Sequence, residues 1–164
     1  MTYSIGGARV TVGDVESIIS RAREWASRNE SEILLADARG VFGRDHLESA
    51  VRHGLRAESA GTMVARSVSM ETIRYLAAQR QVADALRVAG IRRGTGRMAI
   101  VVFGTGSVND VVAEFGWTRD DSVLDALGKD LEALGVGSGE QETVPSDRVQ
   151  DLALERLALV DVEK

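Results

Sequence analysis

Two groups of residues in the sequence are of types that known chemical sites use, and their spacing decides whether they form one. Gly104-Thr105-Gly106-Ser107 stands where a strand passes into a predicted helix, and a glycine loop there can hold a phosphate on its backbone N–H groups. Asn109 occupies the place of the third glycine in a G-x-G-x-x-G pattern, and no G-K-[ST] sequence follows. A plain turn is therefore favoured over a nucleotide site.

The two histidines are the second group. His46 and His53 are seven positions apart on one predicted helix, which separates them by about 10 Å. One metal ion cannot bridge that distance, and zinc-binding histidines on a helix usually stand four apart. The sequence therefore predicts structural or solvent-facing histidines and no metal. It shows no catalytic signature, although a serine–histidine–acid site can converge from anywhere in a chain. We expect no cofactor.

Arginine dominates the middle of the chain. The net charge of −5 conceals +6 over residues 39–97, −9 over residues 98–164 and −2 over residues 1–38. An arginine cluster without base-reading motifs suits contact with phosphates, and the alternative is solvated charge in a chain with 18 arginines and two lysines. Phe42 and Tyr75 are the only aromatic residues of the basic stretch, so several bases cannot stack there. Its arginines beyond residue 50 are Arg52, Arg56, Arg66, Arg74, Arg80, Arg87, Arg92, Arg93 and Arg97.

Composition bounds the classes of protein that fit. A chain of 164 residues, 44% of them apolar, is the size of one domain, and without cysteine it has no disulfide or thiol chemistry. Met98 to Phe103 is its longest apolar run, far short of the roughly 20 residues that cross a bilayer. The start of the sequence lacks the pattern of a signal peptide. We expect a cytoplasmic protein that does not contact membranes.

Hydrophobic periodicity predicts the elements that position these residues. Strands are indicated at residues 3–12 and 33–36, and Met98 to Phe103 is the strongest strand, expected at the centre of a sheet. The most regular helix begins near Arg44. Its apolar residues fit the i, i+3, i+4, i+7 and i+8 template and are Leu47, Ala50, Val51, Gly54 and Leu55.

Capping residues predict the other helices. One begins at Gly13-Asp14, and one begins after Ser69, with Glu71 in its first turn and a break near Ala78-Gln79. A helix that starts at Asp120-Asp121-Ser122 is expected to run through Leu134. We expect an α+β fold in which residues 1–164 form a single domain, with a mixed sheet packed against several helices.

The C-terminus has more apolar residues than one helix stripe can hold. They lie all around the predicted last helix, so part of that surface needs a cover besides the core. Residues 157–162 could instead form a strand that pairs into the sheet. A strand and a partner interface both remain open. The apolar residues are Leu152, Leu154, Leu157, Ala158, Leu159 and Val160.

Four segments together resemble a known family. They are His53-Gly54-Leu55-Arg56-Ala57, residues 65–71 (Ala-Arg-Ser-Val-Ser-Met-Glu), residues 80–85 (Arg-Gln-Val-Ala-Asp-Ala) continuing to residues 90–94, and residues 156–162 (Arg-Leu-Ala-Leu-Val-Asp-Val). In these segments the chain is similar to the kinase-binding subunit of the KEOPS/EKC complex, the family of the eukaryotic PRPK-binding protein, in an archaeal-type form. Ala78 and Val82 are mild departures, because relatives often have glycine and isoleucine there.

The resemblance implies a non-catalytic subunit that docks on the N-lobe of an atypical kinase/ATPase. It also implies recruitment of tRNA through the single-stranded 3′ CCA end, in an assembly that makes threonylcarbamoyl-adenosine next to the anticodon. From the charge count and the matched motifs together, we assign RNA contact to Arg52, His53, Arg56, Arg66, Ser67 and Arg80. From the surplus apolar surface, we assign kinase contact to Leu154, Leu157, Leu159 and Val160.

Two other functions remain as alternatives. The chain could be a protein–protein adaptor that never contacts RNA, in which case salt-dependent RNA binding is absent. It could also be a small enzyme that uses the loop from Gly104 to Ser107 for a nucleotide, in which case ATP or GTP stabilises the isolated chain.

Overall fold

The computed structural model describes residues 1–135, 137, 139, 145 and 148–163. Within these residues the strands are β1 (Tyr3–Arg9), β2 (Ser31–Asp37), β3 (Arg97–Gly104) and β4 (Thr118–Arg119). The helices are α1 (Val15–Arg28), α2 (Arg44–Ala60), α3 (Val68–Leu76), α4 (Val82–Ala89), α5 (Val108–Phe115) and α6 (Val149–Glu163). Short 3₁₀ helices cover Ala38–Gly40, Asp121–Leu124 and Leu131–Leu134.

The four strands form one sheet in the order β2-β3-β1-β4, and each pair is antiparallel. The predicted central strand is confirmed, because β3 pairs on both sides and its apolar residues are buried. The α+β class is also confirmed, but the sheet is antiparallel rather than mixed. β1 and β2 run in the same direction, yet β3 lies between them, so no parallel ladder forms.

The chain divides into two compact units. The sheet unit contains Met1–Ala38 and Gly90–Leu124, and its core packs α1 and α5 on the sheet. Asp14 caps α1 as predicted, since its carboxylate accepts the Ser17 N–H at 3.3 Å. The helical unit contains Arg39–Ala89 and the described residues from Asp125 onward.

Helix α2 is the centre of the helical unit. The predicted apolar face is confirmed at Leu47, Ala50, Val51 and Gly54, which are buried against the rest of that unit. α3 crosses α2 closely at Gly54, where an added Cβ would lie 2.4 Å from the Thr72 hydroxyl. A small residue is therefore required at this crossing. α6 packs against both α2 and α3.

Two predicted helices differ from the structure. α3 is capped by Ser67, two residues before the predicted Ser69, because the Ser67 hydroxyl accepts the Met70 N–H at 3.3 Å. The single helix predicted from Asp120 to Leu134 is wrong. Only the short 3₁₀ helix Asp121–Leu124 forms at its start, where the Asp121 carboxylate accepts the Gly7 N–H of β1 at 2.9 Å, and Gly128 has a left-handed φ of 77°.

The C-terminal segment is helical as far as Glu163, so the alternative of a final strand at residues 157–162 is wrong. Ala153, Leu157 and Val160 form the buried stripe of α6, at 1% exposure or less.

Candidate nucleic-acid interface

Three of the six predicted RNA-contacting residues lie on one side of α2. A helix turns about 100° per residue, which places Arg52, His53 and Arg56 within an arc of about 100°. Arg52 and Arg56 are exposed, whereas the opposite side of the helix is buried. Arg52 forms an ion pair with Glu48 at 3.3 Å. Nothing that the structure describes forms an ion pair with Arg56.

His53 is held in place from three directions. Its Nδ1 lies 2.8 Å from the Ser49 carbonyl oxygen, and its ring lies 5.1 Å from the ring of Tyr75 on α3. Its Nε2 lies 3.7 Å from a carboxylate oxygen of Asp161 on α6. The Tyr75 hydroxyl donates to the other oxygen of Asp161 at 2.5 Å. The imidazole is half-buried, and three helices fix it.

Arg66 and Ser67 lie in the loop that joins α2 to α3. Arg66 is exposed, whereas Ser67 is half-buried and its hydroxyl oxygen caps α3. The backbone of this loop is fixed from inside the protein. The N–H groups of Val64 and Ala65 donate to one oxygen of Glu71 at 2.9 and 2.8 Å. The guanidinium of Arg66 therefore extends from an anchored main chain.

Arg80 lies in the loop that joins α3 to α4. The helix ends at Leu76, and Ala78 adopts a left-handed φ of 54°, which confirms the predicted break there. The Arg80 side chain is exposed, and its carbonyl oxygen accepts a hydrogen bond of 2.6 Å from the Nε of Arg74. This loop, too, is anchored from inside the protein.

Glu71 and Arg74 form the ion pair that anchors both loops. They stand three residues apart on α3, and their side chains are 0% and 1% exposed. The structure therefore corrects the assignment of Arg74 to the phosphate-contacting stretch, because a buried guanidinium cannot contact RNA. It also corrects the role of Glu71, which bonds the loop instead of only favouring the helix dipole. The spacing of this pair is visible in the sequence, but its burial is not.

Ion pairing separates the arginines of this stretch into two kinds. Arg52 and Arg87 are exposed but bonded to neighbouring carboxylates on their own helices. Within the described residues, Arg56, Arg66 and Arg80 are exposed and form no ion pair. No side chain in the described part of the chain pairs with these three guanidinium groups, so they can bond a ligand. Phe42 and Tyr75 are 1% exposed, so neither can stack on a base.

The residues predicted to contact the kinase lie on two sides of α6. Leu157 and Val160 are 1% exposed and pack in the core of the helical unit. Leu154 is half-buried, and Leu159 is 39% exposed. The exposed apolar residues of this helix also include Ala158 and Val162, which the prediction omitted. Val162 is 80% exposed and lies three positions after Leu159, so both face the same side.

His46 is the second predicted structural histidine, and it is fully buried. The Phe42 N–H donates to Nδ1 at 3.0 Å, which leaves Nε2 to carry the proton and donate to the Leu76 carbonyl at 3.1 Å. Burial lowers the pKa of His46 from the ordinary 6.5 to about 4. The imidazole is therefore neutral and links α2 to the end of α3. Among the described residues, no group of three or more His, Asp or Glu side chains could hold a metal ion.

The loop from Gly104 to Ser107 uses its amides internally. The Gly106 N–H donates to the Ser31 hydroxyl at 2.9 Å, and the Val108 N–H donates to the Ser4 hydroxyl at 3.0 Å. Ser107 and Asp110 form a reciprocal capping box at the start of α5. An anionic phosphate at this position would displace these bonds and meet the Asp110 carboxylate. The geometry favours the plain turn over the nucleotide site.

None of the helices in the described ranges is long and apolar enough to cross a membrane. A protein-family model described as kinase binding protein CGI-121 matches residues 11–136 of the sequence. No curated protein matches the sequence. The matched range includes the loops that carry Arg66 and Arg80 and ends before α6.

Proposed function

Since this chain belongs to the CGI-121 kinase binding protein family, we propose that it is a non-catalytic subunit of the KEOPS complex. In this role it docks on the atypical kinase/ATPase subunit and holds the single-stranded 3′ CCA end of tRNA. The assembly can then make threonylcarbamoyl-adenosine next to the anticodon. Kinase binding is the property that the family name carries, and the RNA contact is our extension of it.

The observation that carries the RNA contact is the set of free arginines. Arg56 on α2, Arg66 in the loop before α3 and Arg80 in the loop after α3 are exposed and form no ion pair among the described residues. A guanidinium that is exposed and not ion-paired can bond a phosphate without first breaking an internal bond. His53 lies on the same side of α2 as Arg56, and its ring is already fixed. This arrangement suits a short stretch of RNA backbone.

Salt dependence measures the number of phosphate contacts. For single-stranded nucleic acid, log K falls linearly with log salt, and the steepness of that fall decreases by roughly 0.7 for each phosphate contact that is lost. At 0.1 M salt this corresponds to roughly fivefold weaker binding for each arginine replaced. We expect this change for Arg56→Gln, Arg66→Gln and Arg80→Gln singly. Arg87→Gln is the matched control, because Arg87 is exposed in the same stretch but bonded to Asp84.

The first experiment compares tRNA that has an intact CCA end with the same tRNA trimmed of those three nucleotides. Each is titrated with the full chain across a salt series. We expect the intact tRNA to bind more tightly and the three test variants, but not Arg87→Gln, to remove that difference stepwise. Equal binding of both tRNAs would refute the 3′-end role and favour the adaptor that never contacts RNA.

For the kinase, we propose the exposed side of α6 as the contact, with Leu154, Leu159 and Val162 as its apolar residues. The buried pair Leu157 and Val160 would support this helix from the core side. We expect Leu159→Glu to weaken binding of the purified kinase subunit by at least about tenfold, since docking would bury an unpaired carboxylate. Leu127→Glu is the control, because Leu127 is apolar and 83% exposed but lies outside α6.

The two contacts can be tested separately. Leu159→Glu should leave tRNA binding unchanged, and Arg66→Gln should leave kinase binding unchanged. If Leu159→Glu and Leu127→Glu have equal effects on the kinase, α6 is not the docking surface.

A further inference from the structure

The buried ion pair of Glu71 and Arg74 is expensive to form. Burying two charges removes both from water, and their mutual attraction compensates only when further hydrogen bonds satisfy the remaining donors and acceptors. Both side chains lie at 1% exposure or less. Each side chain must therefore make hydrogen bonds beyond the pair, and the partners of those bonds show what the pair holds in place.

Those further hydrogen bonds run to two loops. One Glu71 oxygen pairs with Arg74, and the other accepts the N–H groups of Val64 and Ala65. Arg74 pairs through Nη1 and donates from Nε to the Arg80 carbonyl oxygen. One partner of the pair fixes the residue immediately before Arg66, and the other fixes Arg80 itself.

We infer that Glu71 and Arg74 are positioning residues that hold the two loops carrying Arg66 and Arg80 in place for contact with phosphates of a single-stranded RNA end. The inference rests on the proposed RNA contact. Neither residue of the pair touches the RNA, because both are buried. They act by holding the main chain from which each of these guanidinium groups extends, so that each guanidinium stays within reach of a phosphate.

The alternative is that the pair only stabilises the fold. A purely structural pair would change the free energy of unfolding but would leave the salt dependence of RNA binding by the folded protein unchanged. A positioning pair changes the number of phosphate contacts that the folded protein makes. The slope of affinity against salt separates the two roles.

The test uses two double variants of the full chain, because replacing one partner alone leaves an unpaired buried charge and risks unfolding. Glu71→Leu/Arg74→Met replaces the pair with apolar side chains and removes the anchors of both loops. Glu71→Gln/Arg74→Met keeps an amide oxygen that can accept from Val64 and Ala65, and it removes the donor to the Arg80 carbonyl. Both are checked for folding by circular dichroism.

For the Leu/Met variant we expect the steepness of the salt dependence with CCA-ended tRNA to decrease by roughly 1.4, which corresponds to about 25-fold weaker binding at 0.1 M salt. For the Gln/Met variant we expect half that slope change and about fivefold weaker binding. Hydrogen exchange of the Val64 and Ala65 amides should accelerate in the Leu/Met variant and stay slow in the Gln/Met variant. If the Leu/Met variant does not fold, the Gln/Met variant carries the test.

Three results would overturn a part of this reasoning, and they are distinguishable. Folded variants that bind tRNA with the wild-type salt slope would overturn the positioning role and leave the proposed function intact. Unchanged exchange at Val64 and Ala65 in the Leu/Met variant would show that the pair does not anchor the loop. A wild-type chain that does not bind the CCA end would overturn the proposed RNA contact, on which this inference rests.

Discussion

The stability of the helical unit should depend on pH through His46. This imidazole is buried and neutral, and its pKa is about 4 in the folded chain against an ordinary 6.5 when unfolded. Between these two values the unfolded chain binds a proton that the folded chain does not, so stability falls as the pH falls from 6.5 towards 4. From about pH 7.5 upward, one unit above the ordinary pKa, His46 adds almost no pH dependence.

The size of the effect follows from the two pKa values. Integrating the difference in bound protons from pH 7.5 to pH 5 gives a loss of about 2 kcal/mol, rising to about 3 kcal/mol below pH 4. The assay is urea unfolding at pH 7.5 and pH 5. Unfolding is monitored by circular dichroism at 222 nm, which measures the loss of helix. Carboxylates that titrate over the same range are common to all variants.

His46→Gln isolates the contribution of this one side chain. Glutamine does not titrate, and its amide can still donate to the Leu76 carbonyl oxygen that His46 bonds. We expect the wild-type chain to lose about 2 kcal/mol more than His46→Gln between the two pH values. Equal losses in both proteins would refute a buried, neutral imidazole at this position.

Three further predictions follow from single contacts. Gly54→Ala should lower the free energy of unfolding by about 1–3 kcal/mol, because its Cβ meets the Thr72 hydroxyl, and Gly54→Ala/Thr72→Ala should recover most of that loss in urea unfolding. Ser107→Ala should lower the free energy of unfolding by about 1 kcal/mol, because it removes the cap of α5. ATP should leave the melting temperatures of the wild-type chain and of Ser107→Ala unchanged, and a shift in the wild-type chain would support the nucleotide alternative. Hydrogen bonds from Ser122 and Arg9 lower the pKa of Asp120. These contacts therefore stabilise the folded chain above the ordinary pKa of an aspartate, and this stabilisation is lost as the pH falls through the lowered pKa. An NMR titration of the Asp120 carboxyl would measure that pKa, and an ordinary value would contradict the prediction.

Elements with a strong local pattern could be predicted from the sequence. α2 has apolar residues at each helical repeat, and Met98 to Phe103 is a continuous apolar run, so both were placed correctly. Asp14 was recognised as a cap because its acceptor reaches an amide only three residues away. In these cases the interactions that decide the structure lie within a few residues of each other.

Elements decided by distant contacts could not be predicted. Asp121 resembles a helix cap in the sequence, but it bonds Gly7 of β1, more than 100 residues away. Ser67 and Ser69 are equally good caps by residue type, and the hydroxyls of both lie within 3.2 Å of each other. The anchoring of residues 64 and 65 by Glu71 favours the earlier start, because it fixes the chain just before Ser67.

The residue types of the candidate site could be predicted from the sequence. Which of those residues are buried or ion-paired could not. Arg74 and Arg80 are indistinguishable in the sequence, yet one is a buried structural cation and the other is an exposed free one. Likewise, Leu157 and Leu159 both read as surplus apolar residues, and only the helical geometry of α6 separates the buried one from the exposed one. Burial depends on the packing of whole helices, which spacing alone does not specify.

The bond between Tyr75 and Asp161 has a thermodynamic consequence. Asp161 lies on α6, the helix proposed to dock on the kinase, and it also faces His53, which is proposed to contact RNA. Two ligands that shift the same conformational equilibrium influence each other reciprocally. If bound kinase changes the affinity for RNA by a given factor, bound RNA changes the affinity for the kinase by the same factor. If docking favours the position in which Asp161 holds His53, substrate tRNA and kinase would recruit each other without touching. The Asp161 carboxylate would then couple the two binding sites.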